Sequence, residues 1–477
     1  MASEMSFNWA EVGRYVTFFL SGVAAMSVVS ARLIPILRRQ RARNRSRTRL
    51  EDLQAAEPVH PPGKSLSKVK PRLPEERSPA PFLYLTDLHI SNMRCFPEVS
   101  LSLRFPGEGR NVRMQNVNLL LGDNGSGKST VLRAAAMVAL GPVLASSGLV
   151  PYRMVREGQK AAVATGALAF GGPRRPEVLL SEVAVQRRGD LEELHSETDG
   201  PYWQDLFDES STSFFVVGYG VNRRVADESR SDPSMERGRR RRRYQRVSSL
   251  FDESISLVPF GGWLPASGSI RQREVRELLD RLLPRNAKFL GSYAGDEPVF
   301  AHRGVEIPFR ALSDGFRSYL GWLGDLMFHL SAVTPEPLSL RETGGIVLVD
   351  EIDLLLHPAW QRVVVPTISR MFPKVQFIFT SHSPLVAGTL EAANICVAKV
   401  ADASSASTLE RIPAEVHGLN AEQVLLSSYF ELTTTRSPDV ARSLEDLARR
   451  AVKGGPEDRN RYLRALAESL PLEDSGR

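Results

Sequence analysis

Cysteine is nearly absent from this 477-residue chain: Cys95 and Cys396 are the only two, far apart and without metal-ligand spacing around them. That usage argues against a disulfide-stapled secreted fold and against a structural zinc site, and it makes a reducing compartment the expectation. Internal repeats are missing, which removes solenoids and propellers. No Ser/His/Asp or Cys/His constellation suggests a catalytic nucleophile. Residues 391–477 carry no glutamate and Asp-x-Asp set of the kind an appended nuclease would need. A hydrophobic content of 42% is ordinary for a globular protein, and the length suits one large α/β domain with appendages.

Against these absences stands one strongly patterned stretch. Gly122, Asp123, Asn124, Gly125, Ser126, Gly127, Lys128, Ser129 and Thr130 read GDNGSGKST, which matches G-x-x-x-x-G-K-[ST]. The apolar run 117–121 before it reads as a buried strand, and the residues after it read as a helix start. Glycines there let backbone N–H groups wrap phosphates, and a helix N-terminus adds its positive dipole. Lys128 would reach the β- and γ-phosphates of a nucleoside triphosphate, and Ser129 would ligate Mg²⁺.

Three further segments narrow the chemistry. The run Gly344 to Val349 is a continuous apolar strand that ends in Asp350 and Glu351, which puts two carboxylates at the carboxyl edge of a parallel sheet. Asp350 would hold the Mg²⁺ shell, and Glu351 would orient and deprotonate an attacking water. Val375 to Thr380 is another buried strand, followed by Ser381 and His382, so His382 can approach a γ-phosphate. Ser313 reads as a helix N-cap with Asp314 in the first turn, ahead of an apolar segment from Tyr319 to Leu330.

With these four motifs in this order (GDNGSGKST, LSDGFRS, GIVLVDEIDLLLHPAWQ and FIFTSHSPLV), the chain resembles the ABC-type ATPase heads of the RecF/SMC/OLD-like superfamily, and more narrowly its compact bacterial "AAA family" ATPases. The opening run from Leu85 to Phe96 and Gly218-Tyr219-Gly220 followed by Arg223 also fit, so the likeness covers about residue 82 to at least 390. The resemblance implies that Lys128 and Ser129 bind ATP and Mg²⁺, that Asp350 and Glu351 are the Walker B pair, and that His382 is the switch histidine. It also implies a homodimer, in which Ser313 and Gly315 form a signature that meets ATP held by the other subunit. DNA repair or anti-phage defence, with an effector encoded elsewhere, is the implied setting. The chain departs from its relatives where Leu355 replaces a frequent histidine, leaving His357 alone after the acids, and Gln186 is offered as the Q-loop glutamine.

Charge is concentrated in two places. The net +6 includes seven arginines between Arg38 and Arg49, so the remainder is close to neutral. The second run spans Arg237 to Arg246 and holds Arg239, Arg240, Arg241, Arg242 and Arg243. A solvated loop and a salt-dependent contact with a nucleic-acid backbone both fit this run. Tyr244 is the only aromatic within it, which offers no stacking platform for single strands.

Near the N-terminus an uncharged run extends from Tyr15 to Ala31 and continues past Arg32 through Leu33 to Leu37. As a helix, this uncharged run would be roughly 26 Å long, slightly short of a ~30 Å hydrocarbon core unless Arg32 snorkels. The arginines that follow place residues 38 onward in the cytoplasm by the positive-inside rule. A single membrane anchor in the cell membrane through residues 15–36 is the expectation, with an interfacial or partner-binding helix as the alternative. A membrane-tethered regulatory ATPase acting on protein partners is the competing functional class.

The expected architecture is therefore an α/β P-loop NTPase of ABC-ATPase type with a mostly parallel sheet, a β-rich lobe, helical additions and an N-terminal transmembrane helix. Its segments are an anchor at 1–37, a basic and proline-rich tether at 38–81, an ATPase head at 82–395 with an insert at about 140–310, and a mostly helical region at 396–477. The insert lacks sustained heptads, which argues against a long coiled-coil arm. Within it, residues 163–185 read as strands and Ile270 to Leu283 as one amphipathic helix, and Trp203 and Trp263 read as core.

Overall fold

In the computed structural model the hairpin β1 (Phe82–Met93) and β2 (Phe96–Ser102) leads into β3 (Val117–Gly122) and helix α1 (Lys128–Ser146). Strands β4 (Ala161–Gly171), β5 (Glu177–Arg188), β6 (Leu191–Thr198) and β7 (Val216–Tyr219) follow. Next come α2 (Ile270–Leu282), a meander of β8 (Ala287–Ala294), β9 (Glu297–His302) and β10 (Val305–Pro308), and α3 (Asp314–Val333). The remainder is β11 (Gly345–Val349), α4 (Pro358–Gln361), α5 (Val364–Met371), β12 (Val375–Ser381), α6 (Pro384–Ala387), β13 (Ile395–Val400), β14 (Ser407–Glu410), α7 (Ala421–Leu425), α8 (Pro438–Lys453) and α9 (Pro456–Glu468). The structure describes residues 82–468 except 110–111, 172–176, 199–202, 204–205, 208–212, 226–242, 260–268, 284–286, 295–296 and 402–405. The expected anchor at 15–36, the tether, Trp263 and the arginines 239–242 lie outside the described residues.

Six strands form the central sheet in the order β14-β13-β3-β12-β11-β7, all neighbours parallel except the antiparallel pair β13 and β14. The continuous apolar runs in β3, β11 and β12 have a direct cause, because both faces of these strands are covered. Successive residues feed different cores. Leu119, Val347 and Phe377 pack on one side with Leu320, Trp322 and Leu323 of α3. Leu120, Ile346 and Ile378 pack on the other side with α1 and a second sheet. The sheet also carries past the expected head boundary at 395, since β13 and β14 complete it.

The second sheet is antiparallel, in the order β2-β1-β4-β5-β6, and it is the β-rich lobe expected within the insert, extended by the opening hairpin. Helix α1 lies between the two sheets, which explains why it is apolar all round rather than on one stripe. Among the described residues it is also the helix long and apolar enough to cross a membrane, and 72% of that window is buried in the protein core. Polar Gln376 interrupts β12 on this inner face for a reason. Its Oε1 accepts from Leu85 N at 2.8 Å and its Nε2 donates to Leu85 O and Arg104 O at 2.7 Å, beside the register shift of β1 between Leu85 and Asp87. A buried amide satisfied in this way ties one sheet to the other.

Candidate nucleotide site

Parallel pairing brings the ends of β3, β12 and β11 to one edge of the central sheet, so the phosphate loop, His382 and the acidic pair emerge side by side. The loop after β3 curls through Gly122, Gly125 and Gly127, at φ 148°, 80° and 96°. Gly127 is a position only glycine can hold. A Cβ there would stand 2.4 Å from Cys95 Sγ and 2.5 Å from Phe96 Cε2, which belong to the turn between β1 and β2. Gly127 O accepts from Thr130 N at 2.9 Å and from Val131 N at 3.1 Å, so the amides of Lys128 and Ser129 face the open end of α1.

Lys128 is buried, and its Nζ donates to Gly122 O and Asp123 O, each at 2.9 Å. Burial lowers its pKa, and the charges of Asp350, Glu351, Asp123 and Asp353 act against that shift. These couplings bring the lysine and the acidic pair into one electrostatic site.

Asp350 is buried, and its backbone N donates to Tyr219 O at 2.8 Å. Thr380, at the end of β12, organises the acidic turn with a single hydroxyl. Its Oγ1 donates to Asp350 Oδ1 at 2.5 Å and accepts from Glu351 N at 2.6 Å. Glu351 adopts a left-handed φ of 46°, and its carbonyl accepts from Arg223 Nη2 at 2.5 Å. The same nitrogen donates to Asp350 O at 3.0 Å. Burial lowers the Arg223 guanidinium to about 10, against the opposing pull of Asp350, Asp353 and Glu351.

His382 Nε2 stands 3.8 Å from Glu351 Oε1, close to the carboxylate but beyond direct hydrogen-bond distance. Its loop is fixed by Ser383, which caps α6 through Leu385 N and Val386 N and donates to Gln361 Oε1 at 2.7 Å. Gln361 Nε2 in turn donates to Leu356 O at 2.9 Å. His357 accepts from Ala359 N at 3.2 Å as the cap of α4, a structural role.

Ser313 occupies the N-cap position of α3, as expected, although its side chain makes no capping bond. Gly315 has a different neighbour from the phosphate loop: a Cβ there would come within 2.2 Å of Leu355 O. Leu355, exposed and at φ 61°, is the point where the start of α3 abuts the acid-bearing loop. A cavity of about 740 Å³ opens beside this contact, lined by Arg223, Arg310, Asp314, Arg317, Leu354 and Leu355.

Two expectations need correction or relocation. Arg243 cannot contact nucleic acid in this fold, because it is 1% exposed, lies over the Phe214 ring at 5.7 Å and donates to Phe214 O. A guanidinium at the end of a basic run has here become a core anchor, for which local sequence held no signal. Gln186 lies within β5 opposite Ala161 and Glu193, in the antiparallel lobe, instead of on the loops around Glu351. The roles of Thr380, Arg223 and Gln361 escaped sequence reasoning, although each stands within or close to a recognised motif.

A family profile described as "AAA domain, putative AbiEii toxin, Type IV TA system" matches residues 117–388, a span that contains the phosphate loop, the signature, the acidic pair and His382. The Septu protein PtuA of Bacillus mycoides (strain KBAB4) is 24% identical over 326 residues, which is 68% of this chain and 42% of that protein. The retron Ec83 probable ATPase of Escherichia coli is 38% identical over 95 residues, 20% of this chain and 18% of that protein. The matched regions span less than half the length of either relative. Among solved structures, an SMC head bound to the C-winged helix domain of ScpA aligns at TM-score 0.42 and 14% identity, over 69% of this chain and 97% of that one. The SMC head domain from Thermotoga maritima aligns at 0.38 and 16% identity, over 69% and 99%.

Proposed function

The chain belongs to the family described as AAA domain, putative AbiEii toxin, Type IV TA system, and from that premise we propose that it binds and hydrolyses Mg·ATP, dimerises on ATP and couples hydrolysis to sensing or processing nucleic acid. The observation that carries the reading is the meeting of the Lys128 loop with Asp350 and Glu351 at one sheet edge. The relative named a retron probable ATPase supports its hydrolytic half.

In this reading the amides of the loop from Gly122 to Thr130 cradle the phosphates and Lys128 turns from its two carbonyl partners to the β- and γ-phosphates. The Ser129 hydroxyl and the Asp350 carboxylate suit Mg²⁺, which takes few protein ligands and completes its octahedron with phosphate oxygens and water. The ion would supply charge neutralisation at the phosphates. Glu351 accepts the proton of the attacking water, and His382, 3.8 Å from it, lies where it can reach a γ-phosphate. Ser313 and Gly315 act on the nucleotide of a second copy.

DNA repair or anti-phage defence with a separately encoded effector is the proposed setting. The arginines 239–242 are the proposed nucleic-acid contact, and charge reversal there should abolish salt-dependent binding. The uncharged run 15–31 followed by arginines supports a membrane tether, which fractionation of the full chain tests. For the central reading, Mg²⁺-dependent phosphate release should fall to a slow residual rate in Glu351→Gln while ATP binding persists, and the trapped species should scatter light as a dimer. An ATP-bound monomer contradicts the shared site.

A further inference from the structure

Arg223 reaches the acidic turn from the loop after β7, across 127 residues of sequence. One of its nitrogens donates to the carbonyls of both Asp350 and Glu351. The acceptors are the important detail. Because the backbone takes these bonds, the two carboxylates stay available for the ion and for water. A buried guanidinium is an expensive way to brace a turn, since the ion must be stripped of its water. Backbone hydrogen bonds alone brace most turns.

The turn also has a specific need for bracing. A left-handed backbone strains a residue other than glycine, and it persists only where its surroundings over-determine it. At Glu351 three bonds do so: the N–H to Thr380 Oγ1 on one side, and on the other the carbonyl, which accepts from Leu354 N at 3.0 Å and from Arg223. The backbone direction at Glu351 sets where its carboxylate points, and His382 stands beside that carboxylate.

We propose that Arg223 is a positioning residue for ATP hydrolysis: by holding the carbonyls of Asp350 and Glu351 it fixes the direction in which the Glu351 side chain enters the site. The inference rests on the ATPase reading above. Arg223 acts through Glu351, so its loss affects the hydrolytic step and leaves nucleotide capture intact.

The experiment is a double-mutant cycle on the full chain, with Arg223→Met, Arg223→Lys, Glu351→Gln and Arg223→Met/Glu351→Gln, each tested for Mg·ATP binding and single-turnover phosphate release. Arg223→Met should lower kcat by about 100-fold, the low end for loss of general-base function, with KM within about threefold of the parent. Arg223→Lys, a cation that reaches without the fixed fork, should recover part of that loss. In the Glu351→Gln background, Arg223→Met should lower the residual rate no further and leave Mg·ATP affinity unchanged, because residues acting as one unit are not additive. A kcat within threefold of the parent overturns the proposal, as does a loss confined to KM or an additive loss in the Glu351→Gln background. A parent chain that releases no phosphate overturns the ATPase reading and this inference together, whereas an active parent with an unaffected Arg223→Met overturns this inference alone.

Discussion

Gly127 concentrates most of what a single residue can do here. It holds φ 96° at the start of α1 and lies against Cys95 and Phe96, so the phosphate loop and the β1–β2 turn depend on the same missing side chain. Gly127→Ala should cost about 1–2 kcal/mol for the backbone and about 1–3 kcal/mol more for the overlap. The variant should melt several degrees lower and fail to retain nucleotide on a filter. A variant that binds normally would mean the loop tolerates a Cβ. Lys128→Ala separates capture from folding, because it removes a cation and no packing against the second sheet. Its melting temperature should stay near that of the parent while ATP binding falls below detection in calorimetry. These positions were legible from sequence because the loop is local, nine successive residues whose spacing states the chemistry. Arg223 and Thr380 were not, because their roles are to touch the backbone of a turn 127 and about 30 residues away. No local pattern records which carbonyl a side chain will find.

Helix α3 carries the proposed signature at its N-terminus and is locked in place further along by a buried polar cluster. Tyr219 donates to Asp325 Oδ2 at 3.0 Å, Val258 N donates to Asp325 Oδ1 at 2.8 Å, and His329 Nε2 stands 3.3 Å from Asp325 Oδ2. Tyr219 belongs to β7, the edge strand beside β11, so this cluster connects the signature helix to the sheet that carries the acids. Burial pushes the Asp325 carboxyl up, but His329, Val258 N and Tyr219 outweigh it and hold the group below the ordinary carboxylate range. A carboxyl depressed in the folded state contributes stability that is full above its unfolded pKa, near 3.9, and lost as pH falls through the folded value. The urea-measured gap between the parent and Asp325→Asn should therefore shrink as pH falls below about 4. A gap that grows on acidification would contradict this assignment. Tyr219→Phe should cost about 1.5–3 kcal/mol, the value of a hydrogen bond to a charged acceptor, with little change in nucleotide affinity. The helix itself was readable from the Ser313 cap and its apolar run. The cluster was not, since nothing in the run from Tyr319 to Leu330 says that Asp325 would meet a tyrosine of β7.

At the scale of the whole molecule, the phosphate loop and the signature stand in different surroundings within one chain. The loop lies between the two sheets, next to the β1–β2 turn, whereas Gly315 abuts Leu355 beyond the acidic strand. In the proposed reading a site that uses both joins two copies, and complementation between two inactive chains tests that arrangement directly. Lys128→Ala has a defective loop and an intact signature, and Ser313→Ala has the reverse. Alone, Ser313→Ala should bind Mg·ATP and hydrolyse it slowly, and Lys128→Ala should do neither. Mixed in equal amounts, they should form heterodimers in which one site pairs an intact loop with an intact signature and the other pairs two defects. With random pairing, half the dimers are mixed and half their sites are sound, so phosphate release should return to about a quarter of the parent rate. The recovery should depend on protein concentration, as assembly of a closed symmetric pair demands. If Ser313 instead served the loop of its own chain, every site in the mixture would retain one defect and no recovery would appear at any concentration.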